Sequence, residues 1–260
     1  MLPEINIFGL IIDSYVLFFF LGGLIASFGG YFFGISRGLD KKKLFLILLL
    51  TSVFAFVGAR LFNFVLHRKI YEQNPELLLN FNMQGQAIIG GIIFAYISIF
   101  LLSKLFRQDY WKIGDSLAPF VGLGLIFGRI GCLLAGCCFG KETDLSIGIK
   151  FPLFSLAHKY QLAHNPGQLF SSHPVHPTQI YEMIAGFLIF VISLIILKKS
   201  QKNGITVLVA SIIYFVFRLV DNYFRAPAMT YSVPDWFYPS FYGIFILIFG
   251  ILLGIKLKEK

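Results

Sequence analysis

Long apolar stretches, separated by short polar segments, constrain this chain more than any other feature. An apolar run of about 20 residues can cross the hydrocarbon core of a bilayer as a helix. In lipid every backbone N–H and C=O must find its partner inside the protein, which leaves only helices or a closed barrel. The runs lack the strict alternation of barrel strands, so helices are expected. Spans are read at residues 14–36, 43–64, 86–104, 114–134, 178–197, 205–224 and 241–255. Charged residues make up only 13% of the 260, where a soluble domain carries roughly 25%. The expected fold is all-α, a polytopic membrane protein of about seven transmembrane helices forming one domain over residues 1–260. Residues 1–12 lack a basic start and run straight into the first span, so no cleavable leader is expected.

The basic residues give the spans a direction. Arg37, Lys41, Lys42 and Lys43 follow the first span, Lys104, Arg107 and Lys112 the third, Lys198, Lys199 and Lys202 the fifth, and Lys256, Lys258 and Lys260 the last. The alternate loops hold Arg68, Lys69, Lys141, Lys150 and Lys159, with Arg225 at the edge of the sixth span. By the positive-inside rule the C-terminus is cytoplasmic and the N-terminus outside. The longest loop, 136–175, with Pro152, Pro166 and Pro174, is then an extracytoplasmic head or lid between the fourth and fifth helices. The net charge of +9 lies beside apolar runs, which fits topology signals and anionic lipid heads and argues against a nucleic-acid partner.

Ionisable residues inside spans are costly and mark function. Here they are Arg60, Asp115, Arg129, Glu182, Arg218 and Asp221, with Arg225 at a helix edge. Asp115 sits near a cytoplasmic end, where pairing or snorkelling is an equal alternative. Arg60, Arg129 and Arg225 fall toward the outer ends of their helices, with Arg218 deeper. Guanidinium matches phosphate oxygens as a two-pronged fork, so the arginines point to a phospholipid head group. That reading does not separate an enzyme from a lipid-binding or transport protein.

Several segments, in order along nearly the whole chain, resemble the prolipoprotein diacylglyceryl transferase family. Gly128-Arg129-Ile130-Gly131-Cys132-Leu133-Leu134-Ala135-Gly136 resembles its signature, roughly G-R-x-G-N-F-x-N-G-E. Tyr15, the stretch Gly58-Ala59-Arg60, the pair Gly90-Gly91, the segment DSLAP from Asp115, HPTQIYE from His176 and RLVDNYFRAP from Arg218 fit further family segments. The resemblance implies a seven-span enzyme of the bacterial cytoplasmic (inner) membrane. Such an enzyme moves diacylglyceryl from phosphatidylglycerol to the lipobox thiol of a prolipoprotein, with prolipoprotein signal peptides and membrane lipids as partners. It assigns Arg129, Arg218 and Arg225 to the phosphate, with Arg60, Tyr15, Gly90 and Gly91 lining the substrate path. No cofactor or metal is expected.

The match breaks at particular residues. The family's asparagine after G-R-x-G is Cys132 here, its signature glutamate falls on Cys137, and the histidine before the glycine pair falls on Ile89. The glutamate between the late arginines falls on Asn222, beside Asp221, and no S-x-G-Q is visible in residues 238–243. The phosphate-binding half is kept and the acid–base half rewritten. One reading is a divergent transferase; others are a phospholipid-binding paralogue with altered acceptor or acyl chemistry, and a non-catalytic lipid-binding or transport protein. Cys137 is a candidate nucleophile. Packing, a disulfide from Cys132 to Cys137 or Cys138, and metal binding are the alternatives for the cysteines, the last without a paired C-x-x-C. His176, ahead of Pro177 in the first turn of the fifth span, is the candidate for proton handling. Gln179 shares its face and orients it or the head group.

Overall fold

The computed structural model of the chain describes residues 2–7, 9–78, 87–164, 172–226 and 234–259. Met1, Gln86 (the expected start of the third span), Pro166 and the rest of 165–171 in the expected head, Pro227 and Lys260 lie outside the described residues.

Seven helices are long and apolar enough to cross a membrane: α1 (Ser14–Ser36), α2 (Lys41–Leu66), α4 (Ile88–Leu105), α5 (Tyr110–Ala135), α7 (Thr178–Lys199), α8 (Ile205–Phe224) and α9 (Phe237–Lys258). The expected bounds hold at both ends of α1 and α8. Elsewhere α2, α5 and α9 extend past the apolar count, because Lys41, Lys42, Tyr110, Trp111 and Tyr238 continue the helix where long or amphipathic side chains sit at the interface. Asp40 starts α2 by accepting a hydrogen bond from the Lys43 amide at 2.9 Å. That bond holds the Asp40 carboxyl below its ordinary range.

Short elements join these helices. A hairpin, β1 (Glu4–Ile7) and β2 (Leu10–Asp13), precedes α1, and Gly9 in its turn takes a φ of 88°. Helix α3 (Arg68–Gln73) and a 3-10 turn (Pro75–Leu78) follow α2. Helix α6 (Leu156–His164) lies between α5 and α7.

The chain forms two compact units, Gly30–Leu117 and Met1–Gly29 with Ala118–Lys260. In the first, α2 and α4 pack against each other, and Leu39, Leu44, Ile47, Leu48, Leu102 and Ile113 form a buried cluster. In the second, α5 meets its neighbours through glycines. A Cβ on Gly122 of α5 would lie 2.6 Å from the Gly186 carbonyl oxygen of α7, and one on Gly22 of α1 would lie 2.5 Å from that of Gly124. Lipid gives packed helices no hydrophobic drive to associate, so such backbone approach carries the contact. Helix α8 packs on α7 and α9, with Phe215 stacked on Phe245 and Phe249.

The expected head is folded in this second unit. Phe151, Ala157 and Val175 form its small core with Leu133, Phe139 and Ile149 against them. Gln161 closes it by bonding both the carbonyl and the amide of His173.

Candidate active site

The glycine contact between α5 and α7 sets up an ion network near one end of both helices. Arg129 lies two turns beyond Gly122, and Glu182 one turn before Gly186. With the backbones this close, Arg129 Nη2 reaches Glu182 Oε2 at 2.6 Å. Helix α8 supplies the rest. Arg218, Asp221 and Arg225, spaced i, i+3 and i+7, share one face. Arg218 Nη1 lies 2.7 Å from Glu182 Oε1 and Arg225 Nη1 3.0 Å from the same oxygen. Asp221 Oδ2 stands 3.7 Å from Arg218 and 3.6 Å from Arg225. Arg218 Nη2 also donates to the Tyr242 hydroxyl of α9 at 2.9 Å. Three guanidinium groups thus face two carboxylates, and Arg218 Nε is buried without a hydrogen-bond partner. Taking charges out of water costs several kcal/mol per ion, so these groups are stable only as a mutually paired set.

The end of α5 carries the cysteines into this network. Gly136 takes a φ of 69°, the left-handed residue that closes many helices. Its amide donates to the Leu133 carbonyl, and the Cys137 amide to the Cys132 carbonyl at 3.0 Å. This is the Schellman closure, in which the side chains of the two outer positions come together; here they are Cys132 and Cys137. Cys138 also has a positive φ, 57°. The Sγ atoms of Cys132, Cys137 and Cys138 all lie within 4.8 Å of one another, and the three are free thiols.

The first turn of α7 holds this segment. Thr178 Oγ1 donates to the Cys138 carbonyl and Gln179 Nε2 to that of Cys137, each at 2.6 Å. Arg129 Nη1 lies 3.6 Å from Cys132 Sγ. Hydrogen bonds from the other two thiols, then the charges of Arg225 and Arg129, hold the Cys138 thiol well below its ordinary range against the opposing effect of burial. Hydrogen bonding with the other two thiols, together with burial, pushes the Cys137 thiol up.

The structure gathers Arg129, Arg218, Arg225, Gln179 and Cys137 from the residues expected in the site. Tyr15 is within electrostatic reach of Arg129 and all three cysteines. Gly131 keeps α1 close: a Cβ there would lie 2.9 Å from Phe18 Cβ and 3.2 Å from Tyr15 Cα. His176 pairs its Nδ1 with the Tyr181 hydroxyl at 3.1 Å and lies against Phe224. Gln179 spends its amide on the cysteine turn, not on His176. Arg60, Gly90 and Gly91 belong to the unit Gly30–Leu117. Arg60 lies over the Tyr71 ring at 5.9 Å, and Gly90 packs on α2, where a Cβ would lie 2.4 Å from the Gly58 carbonyl oxygen. Ile89 is buried on α4.

Sequence reasoning did not place Glu182 and Tyr242 in the site. Glu182 carried a signal, as an ionisable residue within a span and inside HPTQIYE. Tyr242 carried none beyond its aromatic ring.

Comparisons with known proteins bear on this arrangement. A family model described as prolipoprotein diacylglyceryl transferase matches residues 4–257. The chain is 35% identical over 248 residues to phosphatidylglycerol–prolipoprotein diacylglyceryl transferase 2 of Clostridium perfringens, covering 95% of this chain and 92% of that protein. It is 32% identical over 219 residues to phosphatidylglycerol–prolipoprotein diacylglyceryl transferase of Clostridium tetani, covering 84% and 82%. It is 32% identical over 221 residues to the enzyme of the same name from Wigglesworthia glossinidia brevipalpis, covering 79% of each chain.

Proposed function

The chain belongs to the prolipoprotein diacylglyceryl transferase family, and we propose that it transfers the diacylglyceryl group of phosphatidylglycerol to the lipobox cysteine thiol of prolipoproteins. The observation that carries this reading is the convergence of Arg129, Arg218 and Arg225 on Glu182, with Arg218 Nε left as an unused buried donor. A phosphate entering there meets guanidinium groups already oriented by the protein.

The reaction needs that arrangement. The acceptor sulfur, as thiolate, forms a bond to a glyceryl carbon while the bond from that carbon to a phosphate oxygen breaks. The electron pair and a negative charge stay with the departing glycerol phosphate, and the thiol proton goes to the medium or a nearby base. Preorganised cations stabilise the charge that builds on the leaving oxygen, an effect on the order of 3 kcal/mol for one well-placed donor. Arg129 and Arg218 take this role, with Arg225 on the head group. Tyr15 lines the substrate path, and Arg60, Gly90 and Gly91 are candidate lipid contacts of their own unit. His176, beside Tyr181, is the base candidate on the protein, and Gln179 fixes the cysteine turn that carries Cys137.

The reading includes one transferase domain over both units in the bacterial cytoplasmic membrane. The N-terminus and the 136–175 head are outside, and the lipobox is presented by a prolipoprotein signal peptide. The test is direct. Purified protein receives labelled phosphatidylglycerol and a lipobox peptide, and the peptide gains the mass of one diacylglyceryl group. Arg129→Ala abolishes that gain. An unchanged product from Arg129→Ala refutes the site assignment. Lipid binding without product replaces the transferase with a lipid-binding protein.

A further inference from the structure

We propose that Cys132, Cys137 and Cys138 bind one Zn²⁺ ion and leave its fourth position to the acceptor thiol, an inference that rests on the transferase reading of the same site.

No C-x-x-C pair marks this set in the sequence; the fold makes it. Adjacent side chains on an extended strand point to opposite sides, yet Cys137 and Cys138 present their sulfurs together, with Cys138 at a φ of 57°. A left-handed non-glycine residue costs roughly 1–2 kcal/mol, so the conformation is held by its surroundings. Thr178 and Gln179 grip the two cysteine carbonyls, and the Schellman bond ties Cys137 to Cys132. All three Sγ atoms lie within 4.8 Å of one another. With Zn–S bonds of roughly 2.3 Å, sulfurs at the corners of a tetrahedron stand about 3.8 Å apart, so the set closes on the ion by small side-chain rotations.

The donor set selects the ion and its state. Three thiolates are soft ligands suited to zinc. Among the described residues no histidine or carboxylate joins the cluster, so the protein supplies three ligands. Zinc held by three protein ligands keeps an open position, as catalytic zinc does. Zn²⁺ with three thiolates carries one negative charge, and Arg129, 3.6 Å from Cys132 Sγ, stands beside it as the compensating cation.

This ion solves a problem that the chain otherwise poses. Transfer requires a thiolate, and the position that the family resemblance gives to a histidine is Ile89. A thiol that takes the open zinc position gives up its proton to solvent water. Its sulfur then attacks the glyceryl carbon, the carbon–oxygen bond to phosphate breaks, and the electron pair leaves on the phosphate beside the arginines. The thioether product is neutral and a poor ligand, so it departs. Zinc is neither oxidised nor reduced, and the cysteines stay unmodified.

The test uses the full chain in detergent, reduced, stripped by a chelator and kept anaerobic. Zn²⁺ titrated against a chromophoric chelator binds at one ion per chain. Co²⁺ in its place gives thiolate-to-cobalt charge transfer and a tetrahedral d–d spectrum. A lipobox peptide changes that spectrum and its Cys→Ser analogue does not. Cys137→Ser weakens zinc binding by roughly 100-fold or more, and the Cys132→Ser/Cys137→Ser/Cys138→Ser variant loses it. The cobalt spectrum of the unmutated chain carries the test even where the triple variant does not fold. Absence of thiolate-to-cobalt charge transfer, zinc binding unchanged by Cys137→Ser, or a disulfide between Cys132 and either neighbour in protein taken from membranes under thiol-blocking conditions overturns the proposal. Full transfer activity after the metal is stripped overturns it while leaving the transferase reading intact. A zinc-loaded chain that shows the peptide-dependent cobalt change but forms no product supports the metal site and defeats the transferase.

Discussion

Glu182→Gln removes one charge and almost no volume from the centre of the arginine network. The Glu182 side chain is 2% exposed, and the side chains of Arg129 and Arg218 are 8% and 9% exposed. These two contacts count as buried, where loss of one partner costs about 3–5 kcal/mol because the other charge is left uncompensated. Arg225 is 23% exposed, so solvent screens it and its share falls under about 1 kcal/mol. Glutamine keeps one acceptor oxygen for Arg218, which moves the total toward the lower end, about 3–4 kcal/mol. That is a large part of the roughly 5–15 kcal/mol by which proteins are stable. The surplus positive charge has a second consequence. An anionic lipid compensates it, so phosphatidylglycerol restores stability to the variant by mass action. Thermal unfolding in nanodiscs measures both effects. In zwitterionic lipid the Glu182→Gln protein unfolds well below the unmodified chain, and in phosphatidylglycerol the gap narrows. Equal stability of the two proteins in zwitterionic lipid would falsify the view that Glu182 holds the arginines in place.

Gly122→Leu forces a side chain toward the Gly186 carbonyl, where even a Cβ comes to 2.6 Å. It separates α5 from α7, costs about 1–3 kcal/mol and lowers transfer at least tenfold by drawing Arg129 from Glu182, measured by denaturation and by product formation. Tyr242→Phe removes the hydroxyl that accepts from Arg218 at 2.9 Å and leaves a buried donor unmet, for a loss of about 1–3 kcal/mol in unfolding with the seven helices intact by circular dichroism. Gly136→Ala meets a φ of 69° at a cost of about 1–2 kcal/mol. It loosens the Schellman turn, seen as faster alkylation of Cys137 and Cys138. A cysteine placed at the N-terminus reacts with an impermeant thiol reagent in intact cells, and one at the C-terminus reacts only after permeabilisation.

The transmembrane helices were legible because a bilayer demands length and apolarity, and both are local properties of the sequence. Their ends were less so: Lys41, Tyr110 and Phe237 lie where polar and apolar counts balance, and α2, α5 and α9 begin at them. The N-terminal hairpin was hidden because its strands are too short and too mixed to show alternation. In the site, the arginines were legible one at a time, since each is costly in a span. Their shared partner was not, because a carboxylate inside a span reads equally as a proton carrier, a capping group or a counter-ion, and only the approach of α5 and α8 to α7 decides among them. That approach is written in Gly122 and Gly186, which have no chemistry to mark them. The cysteines are the sharpest case. Spacing alone places Cys132 five residues from Cys137 and leaves Cys137 and Cys138 adjacent, a pattern that matches no paired metal motif. Yet a glycine directly before Cys137, at the end of an apolar helix, is the mark of a left-handed helix stop. A Schellman closure at Gly136 brings the residues four before and one after it together. The sulfur cluster therefore follows from a backbone rule applied to Ala135-Gly136, not from any rule about cysteine. The side chains of Thr178 and Gln179 then fix it to the helix that also carries Glu182. The same turn of α7 thus holds both the cysteines and the carboxylate on which the arginines meet.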